Sequence, residues 1–153
     1  MTDKQTKDTI EVNENDFTRL KVNIYGREWT LIPKLGFYVA HDFMGEDHSN
    51  LAVQLYCEGE YGPEPFATLT VNLGEYISAK FCAYVNTNNC RFAEQLLELG
   101  IAKDTGLTKQ SGFCTYPLWQ FNEDFLKAAD EDVYKKYSDE YDKYMADEDP
   151  LLV

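Results

Sequence analysis

From Leu20 to Thr87 apolar residues alternate with polar ones in one stretch after another, and from Cys90 the period changes. The clearest case is FATLTVNL (66–73). Phe66, Thr68, Thr70 and Asn72 face one way and Ala67, Leu69, Val71 and Leu73 the other, the period-two signature of a half-buried strand. LKVNIYG (20–26) alternates likewise, and Gly26 permits a turn into REWTLI, a strand closed by Pro33. LGFYVA (35–40), NLAVQLYCE (50–58) and FCAYVNT (81–87) read as further strands. The Gly- and Pro-rich GEYGPEP (59–65) joins two of them as an antiparallel hairpin. In CRFAEQLLELG (90–100), Phe92, Leu96 and Leu99 recur at helical spacing, with Asn88 or Asn89 as a cap and Gly100 as the stop.

KDTGLTKQSG (103–112) reads as a loop. FCTYPLWQF (113–121) reads as a strand in which Pro117, lacking an amide donor, belongs at an edge or bulge. The aromatics of SGFCTYPLWQF (111–121) are expected to fill a core rather than floor an active site. From Asn122 the chain turns helical and acidic. Strands come early and helices gather late, so the expected fold class is α+β. The expectation is an antiparallel sheet of five to six strands, a short helix near 90–99 and a C-terminal acidic helix near 123–145. The domain plan is a flexible polar N-terminal arm over 1–18 and a single α+β domain over 19–153. A chain of 153 residues has room for one such core.

Charge narrows the partners. The net charge is −13, of which residues 1–18 and 19–121 carry −3 each and residues 122–153 carry −7. Such a surface repels nucleic acid and anionic membrane and attracts basic proteins. The acidic segment DEDVYKKYSDEYDKYMADEDP (130–150) places Tyr134, Tyr137, Tyr141 and Tyr144 three, four and three residues apart, one continuous stripe on a helix. An amphipathic helix ordinarily buries its stripe. The alternative use is to present carboxylates and phenols to a basic partner, and the two uses are compatible. The candidate partner-binding residues are therefore Asp130, Glu131, Asp132, Tyr134, Tyr137, Asp139, Glu140, Tyr141, Asp142 and Tyr144. Asp147, Glu148 and Asp149 fall at the helix C-terminal end, where the macrodipole disfavours negative charge, which assigns them to solubility or recognition.

Signals for chemistry are weak. HDFMGEDH (41–48) holds both histidines with Asp42, Glu46 and Asp47, a spacing far less specific than established zinc or EF-hand patterns. Cys114 has no neighbouring histidine, and no Walker A, G-x-G-x-x-G or G-x-S-x-G sequence occurs. The expectation is no catalytic residue, no metal site and no cofactor. Cys57, Cys82, Cys90 and Cys114 show no C-x-x-C pair, and Cys82 and Cys114 sit in strand-like runs as small apolar fillers. The polar N-terminus lacks a signal-peptide core and no apolar run approaches membrane-spanning length. A reducing bacterial cytoplasm is the expected compartment.

PFATLTVNL (65–73), VNTNN (85–89), TGLTKQSGFCTYPLWQFN (105–122) and LAVQLY (51–56) together resemble a bacterial family carried by phages and conjugative elements and catalogued only as a domain of unknown function. The resemblance covers roughly 20–126, leaving the N-terminal arm and the Tyr-rich tail outside it. It implies no activity and no site residues. Its mobile-element setting, joined to the charge, implies a non-enzymatic protein that binds a basic nucleic-acid-binding host protein. An anti-CRISPR protein acting on a Cas9-type effector is the favoured case. The second reading is an accessory or structural protein of such an element, acidic only for solubility and acting through another surface, for instance as a homodimer. A third, minor reading is an enzyme or metalloprotein built on the His41–His48 loop.

Overall fold

Two prolines show how the strands are arranged. The structure, a computed structural model, describes residues 16–148, with side chains as far as residue 146. Strands β1 (Leu20–Ile24), β2 (Arg27–His41), β3 (Asp47–Gly59) and β4 (Gly62–Thr68) form an antiparallel sheet in that order. REWTLI and LGFYVA are thus one strand of 15 residues rather than two separated by Pro33. Pro33 lies opposite Leu55 of β3 but two positions past Leu31, where β1 pairing ends. Its missing amide falls where β2 has a neighbour on one side only.

Pro117 obeys the same rule in the second sheet, whose order is β5 (Thr70–Val71), β6 (Cys82–Val85), β8 (Cys114–Phe121), β7 (Ala102–Ser111). Strand β8 is interior to this sheet. Yet β6 covers only Leu118 to Gln120, so Pro117 is paired on the β7 side alone.

Among the described residues the single sheet of five to six strands is therefore corrected to eight strands in two sheets. Two local features account for the difference. The run 66–73 does not stay in one sheet. The Leu69 amide donates to the Val53 carbonyl at 2.9 Å, and its own carbonyl accepts the Asn86 amide at 2.8 Å. Leu69, fully buried, thus stitches the two sheets together as the chain crosses over. The second feature is β7, expected as a loop. It is an edge strand with nearly every side chain exposed, so it carries no alternation to read. Its bulge between Asp104 and Thr108 contains Gly106 at φ 87.

Helix α1 (Ala93–Glu98) lies where expected and stops at Gly100, φ 86. It has no side-chain cap; the Asn86 carboxamide instead accepts the Asn89 amide. Gln95 does the tertiary work of this helix. Its carboxamide accepts the Asn23 amide and donates to the Asn23 carbonyl, both at 2.7 Å, closing the outer edge of β1 with a side chain in place of a strand.

The expected C-terminal helix is two helices, α2 (Glu123–Ala129) and α3 (Glu131–Glu148). Asn122 caps α2 by accepting the Asp124 amide at 2.8 Å. Asp130, extended at φ −168 and ψ 102, breaks the chain and accepts the Val133 amide at 3.1 Å as the cap of α3.

Leu31, Val53, Leu55, Val85, Leu96, Trp119, Phe121, Phe125 and Tyr137 belong to one buried cluster that spans both described sheets and helices α1, α2 and α3. Only the second half of SGFCTYPLWQF is core. Leu118, Trp119 and Phe121 are buried, whereas Phe113 stands fully exposed on the β7–β8 turn. Phe17, assigned by the sequence to the arm, packs edge-on against Phe125 at 5.8 Å; the arm up to Asn15 lies outside the described residues.

The Gln95 clasp makes a testable difference. Gln95→Ala is expected to cost about 1–2 kcal/mol, because both hydrogen bonds pass to water. Glu94→Ala next to it, exposed, is expected to be near neutral. Urea denaturation followed by tryptophan fluorescence compares the two.

Candidate functional site

Helix α3 carries nearly all of the residues nominated from the sequence, and its tyrosines point inward. Successive residues turn through about 100°, so Tyr134, Tyr137, Tyr141 and Tyr144 share a narrow arc. Tyr137 is buried at 3% exposure. Its hydroxyl accepts the Phe81 amide at 3.0 Å. The Tyr134 ring stacks on Phe81 at 5.8 Å, and Tyr137 contacts the same ring at 5.9 Å. Tyr141 donates its hydroxyl to the Ser78 carbonyl. Tyr144 donates to Asp42 Oδ2 at 3.1 Å. Burial pushes the Tyr137 phenol well above its ordinary pKa, more than the Phe81 amide lowers it. The hydroxyls of Tyr76, Tyr134 and Tyr141 are raised by burial as well.

The carboxylates divide by role. Asp130 is the α3 cap. Asp142 pairs with Lys80 at 2.7 Å, tying the middle of the helix to the segment before β6. Glu131, Asp132, Asp139 and Glu140 face solvent. So do Lys135, Lys136 and Lys143, interleaved with them on the outer face. Among the described residues that face is a mixed one, not a purely acidic stripe. Asp149 and the side chains of Asp147 and Glu148 lie outside the described residues.

The far end of the stripe meets the His41–His48 loop, a contact between two features that the sequence left separate. Asp42 is the junction. One carboxylate oxygen accepts the amides of Met44 and Glu46, each at 2.9 Å. The other accepts His48 Nε2 at 2.9 Å and the Tyr144 hydroxyl. Four donors fill the lone-pair sites of a carboxylate. Burial by itself would raise the Asp42 pKa; the Glu46 amide, His48, Tyr144 and the Met44 amide outweigh it and hold the group below the usual carboxylate range. His48 lies between rings, 4.0 Å from Tyr144 and 4.7 Å from Tyr76.

His41 turns elsewhere, with Nδ1 2.7 Å from Asp47 in an exposed pair. The two histidines therefore take separate carboxylates. Among the described residues no group of three His, Cys, Asp or Glu side chains is placed to hold a metal ion. Beside this junction opens a cleft of about 340 Å³ lined by His41, Phe43, Glu75, Tyr76, Tyr144 and Met145, among others. Of the receiving side of the stripe, Phe81 belongs to the expected strand 81–87, whereas Tyr76, Ser78 and Lys80 carry no signal because GEYISAK (74–80) has neither period.

Residues 41–141 match a family model described as a domain of unknown function, DUF4313. The chain belongs to the DUF4313 family. No curated protein and no solved structure matches it. The DUF4313 match corrects the extent expected from the resemblance. It begins at the last residue of β2 and runs on to Tyr141, so three of the four stripe tyrosines lie inside the family domain. Helix α3 as far as Tyr141 therefore lies inside the matched family domain rather than outside it.

The remaining features of the DUF4313 chain are quiet. All four cysteines are free thiols. Burial pushes Cys90 up to about 11 and raises Cys82, so both stay protonated at neutral pH. Among the described residues no helix is long and apolar enough to cross a membrane.

Two consequences are measurable. Tyr137→Phe is expected to cost about 1–3 kcal/mol, because the part-buried Phe81 amide loses its acceptor. Tyr134→Phe, whose hydroxyl reaches only an exposed Glu123 at 3.3 Å, is expected to cost little. The depressed Asp42 contributes stability that is fully present above the ordinary carboxylate pKa and is lost as pH falls through its lower folded value. Asp42→Asn is thus expected to be less stable than the parent at pH 7, with the gap closing on acidification below about pH 4. Denaturation midpoints measured across pH check this.

Proposed function

We propose that this DUF4313 protein acts by binding rather than by catalysis, and that its partner is a basic nucleic-acid-binding protein of a bacterial host. The favoured target is a defence effector of the Cas9 type, met in the host cytoplasm by a product of a phage or other mobile element. By occupying a basic surface that would otherwise hold phosphates, the protein excludes the nucleic acid.

The observation that carries this reading is the docking of α3 combined with the charge of −13. Because the tyrosines anchor the helix, Glu131, Asp132, Asp139 and Glu140 sit on a rigid support. Carboxylates held in place lose less conformational entropy on association than a free tail would. Tyr137, nominated as a contact, serves instead to hold that support. For the same reason deletion of 123–153 would remove core and is a poor test of binding.

The accessory-protein reading has an observation of its own. Lys135, Lys136 and Lys143 lie within one helical turn of the outward acids and offset part of their field, as on a helix built for solubility.

Charge reversal separates the two. The double variant D139K/E140K, at exposed positions, is expected to fold normally. It is expected to weaken binding to a Cas9-type effector by about tenfold or more at low salt, with a shallower salt dependence and restored DNA cleavage. Equal binding by parent and variant would favour the accessory reading; no binding by either would remove that effector as the target.

A further inference from the structure

Four hairpin turns among the described residues each hold an aromatic ring out in solvent: Tyr25 at 97% exposure, Phe43 at 96%, Tyr61 at 94% and Phe113 at 106%. Rings in such positions add nothing to the core. Tyr25 and Tyr61 stand at one end of the first sheet, where β1 turns into β2 and β3 into β4. Phe43 stands at the opposite end, on the β2–β3 turn, with Met44 beside it at 70% exposure.

The two ends differ in what lies behind the rings. Beyond Leu35 and Val53 the β2–β3 hairpin runs on without β1 or β4 beside it; the segment around Glu75, bridged to His41, lies against it instead, and Phe43 and Met44 crown its tip. Phe43 also forms a wall of the cleft described above, together with Tyr76, Tyr144 and Met145. That cleft is at the small end of the range for ligand sites and suits one side chain better than a cofactor. Glu75 lines it too, with its side chain 71% exposed although paired with Lys109. The loop adds the exposed Glu46 and Asp47, and no Lys or Arg lies between His41 and His48.

Apolar ridge, aromatic wall and carboxylates together fit a partner that is basic and carries a flat cation. A second copy of this chain would bring like charges together, and an anionic bilayer would be repelled. Of the two basic side chains, arginine has the plane to lie against an aromatic wall and the fork to meet a carboxylate.

Resting on the binding-protein reading above, we propose that the Phe43–Met44 tip and the cleft behind it anchor the basic partner, Phe43 and Met44 packing on its surface and the cleft receiving an arginine side chain. The outward acids of α3 then act at longer range, steering the approach.

The test uses the full chain and an arginine octapeptide as probe, with a lysine octapeptide of equal charge for comparison, by titration calorimetry and by NMR. The arginine peptide is expected to bind and to shift resonances of Phe43, Tyr76 and Met145. F43S/M44S and, separately, E75Q are expected to weaken it by about fivefold or more, and Y25S/Y61S by less than about twofold. The lysine peptide is expected to bind more weakly. All these positions except Glu75 are exposed turns, and circular dichroism confirms the fold of each variant. Arginine-peptide binding that F43S/M44S and E75Q leave unchanged would overturn the anchor while leaving the binding reading intact. Absence of binding by that peptide would also overturn the anchor, and the binding reading would then rest on the effector assay alone.

Discussion

The hydrogen bond from the Phe81 amide to the Tyr137 hydroxyl is the contact on which the arrangement of this protein turns. Phe81 sits at φ 65, a left-handed backbone that a bulky residue adopts only when its surroundings impose it. Those surroundings come from three directions. Tyr137 takes the amide, the Phe121 amide donates to the Phe81 carbonyl at 2.8 Å, and the Phe81 ring lies against Tyr134 and Tyr137. One residue therefore couples α3 to the start of β6 and the end of β8. In a helix with so polar a sequence, the few buried groups find specific partners that fix its place on the domain.

The same logic extends along the stripe to Asp42. Tyr144 and Asp42 are separated by 102 positions in sequence, and their hydrogen bond draws the end of α3 onto the β2–β3 hairpin, at the boundary where the family domain begins. The phenols raised by burial stay protonated at neutral pH and keep their hydroxyl hydrogens available to donate. The carboxylate held low at Asp42 stays ionised and accepts. Each ionisation state favours the closed arrangement, and the excess charge of α3 is left on the side facing water.

The amphipathic stripe was legible because period and residue type agreed over four tyrosines, and the α1 region for the same reason. The strands of the first sheet were legible by alternation, though the join at Pro33 was hidden because proline reads as a stop unless the neighbouring strand is known to have ended. Edge strand β7 was not legible, since a strand exposed on both faces has no pattern to show. Nor was Asp130, which looks like one more acid in a charged run until its extended backbone shows it capping α3. The Asp42–His48–Tyr144 junction joins segments whose encounter depends on the whole fold, and no local spacing announces it.

Native-state hydrogen exchange of the α3 amides tests the central claim, that this acidic helix is part of the cooperative core. The account predicts that amides from Tyr137 to Tyr141 open with free energies close to those of the β6 and β8 core. Exchange of α3 many times faster, with both sheets still protected, would show a helix that merely rests on the domain and would contradict it.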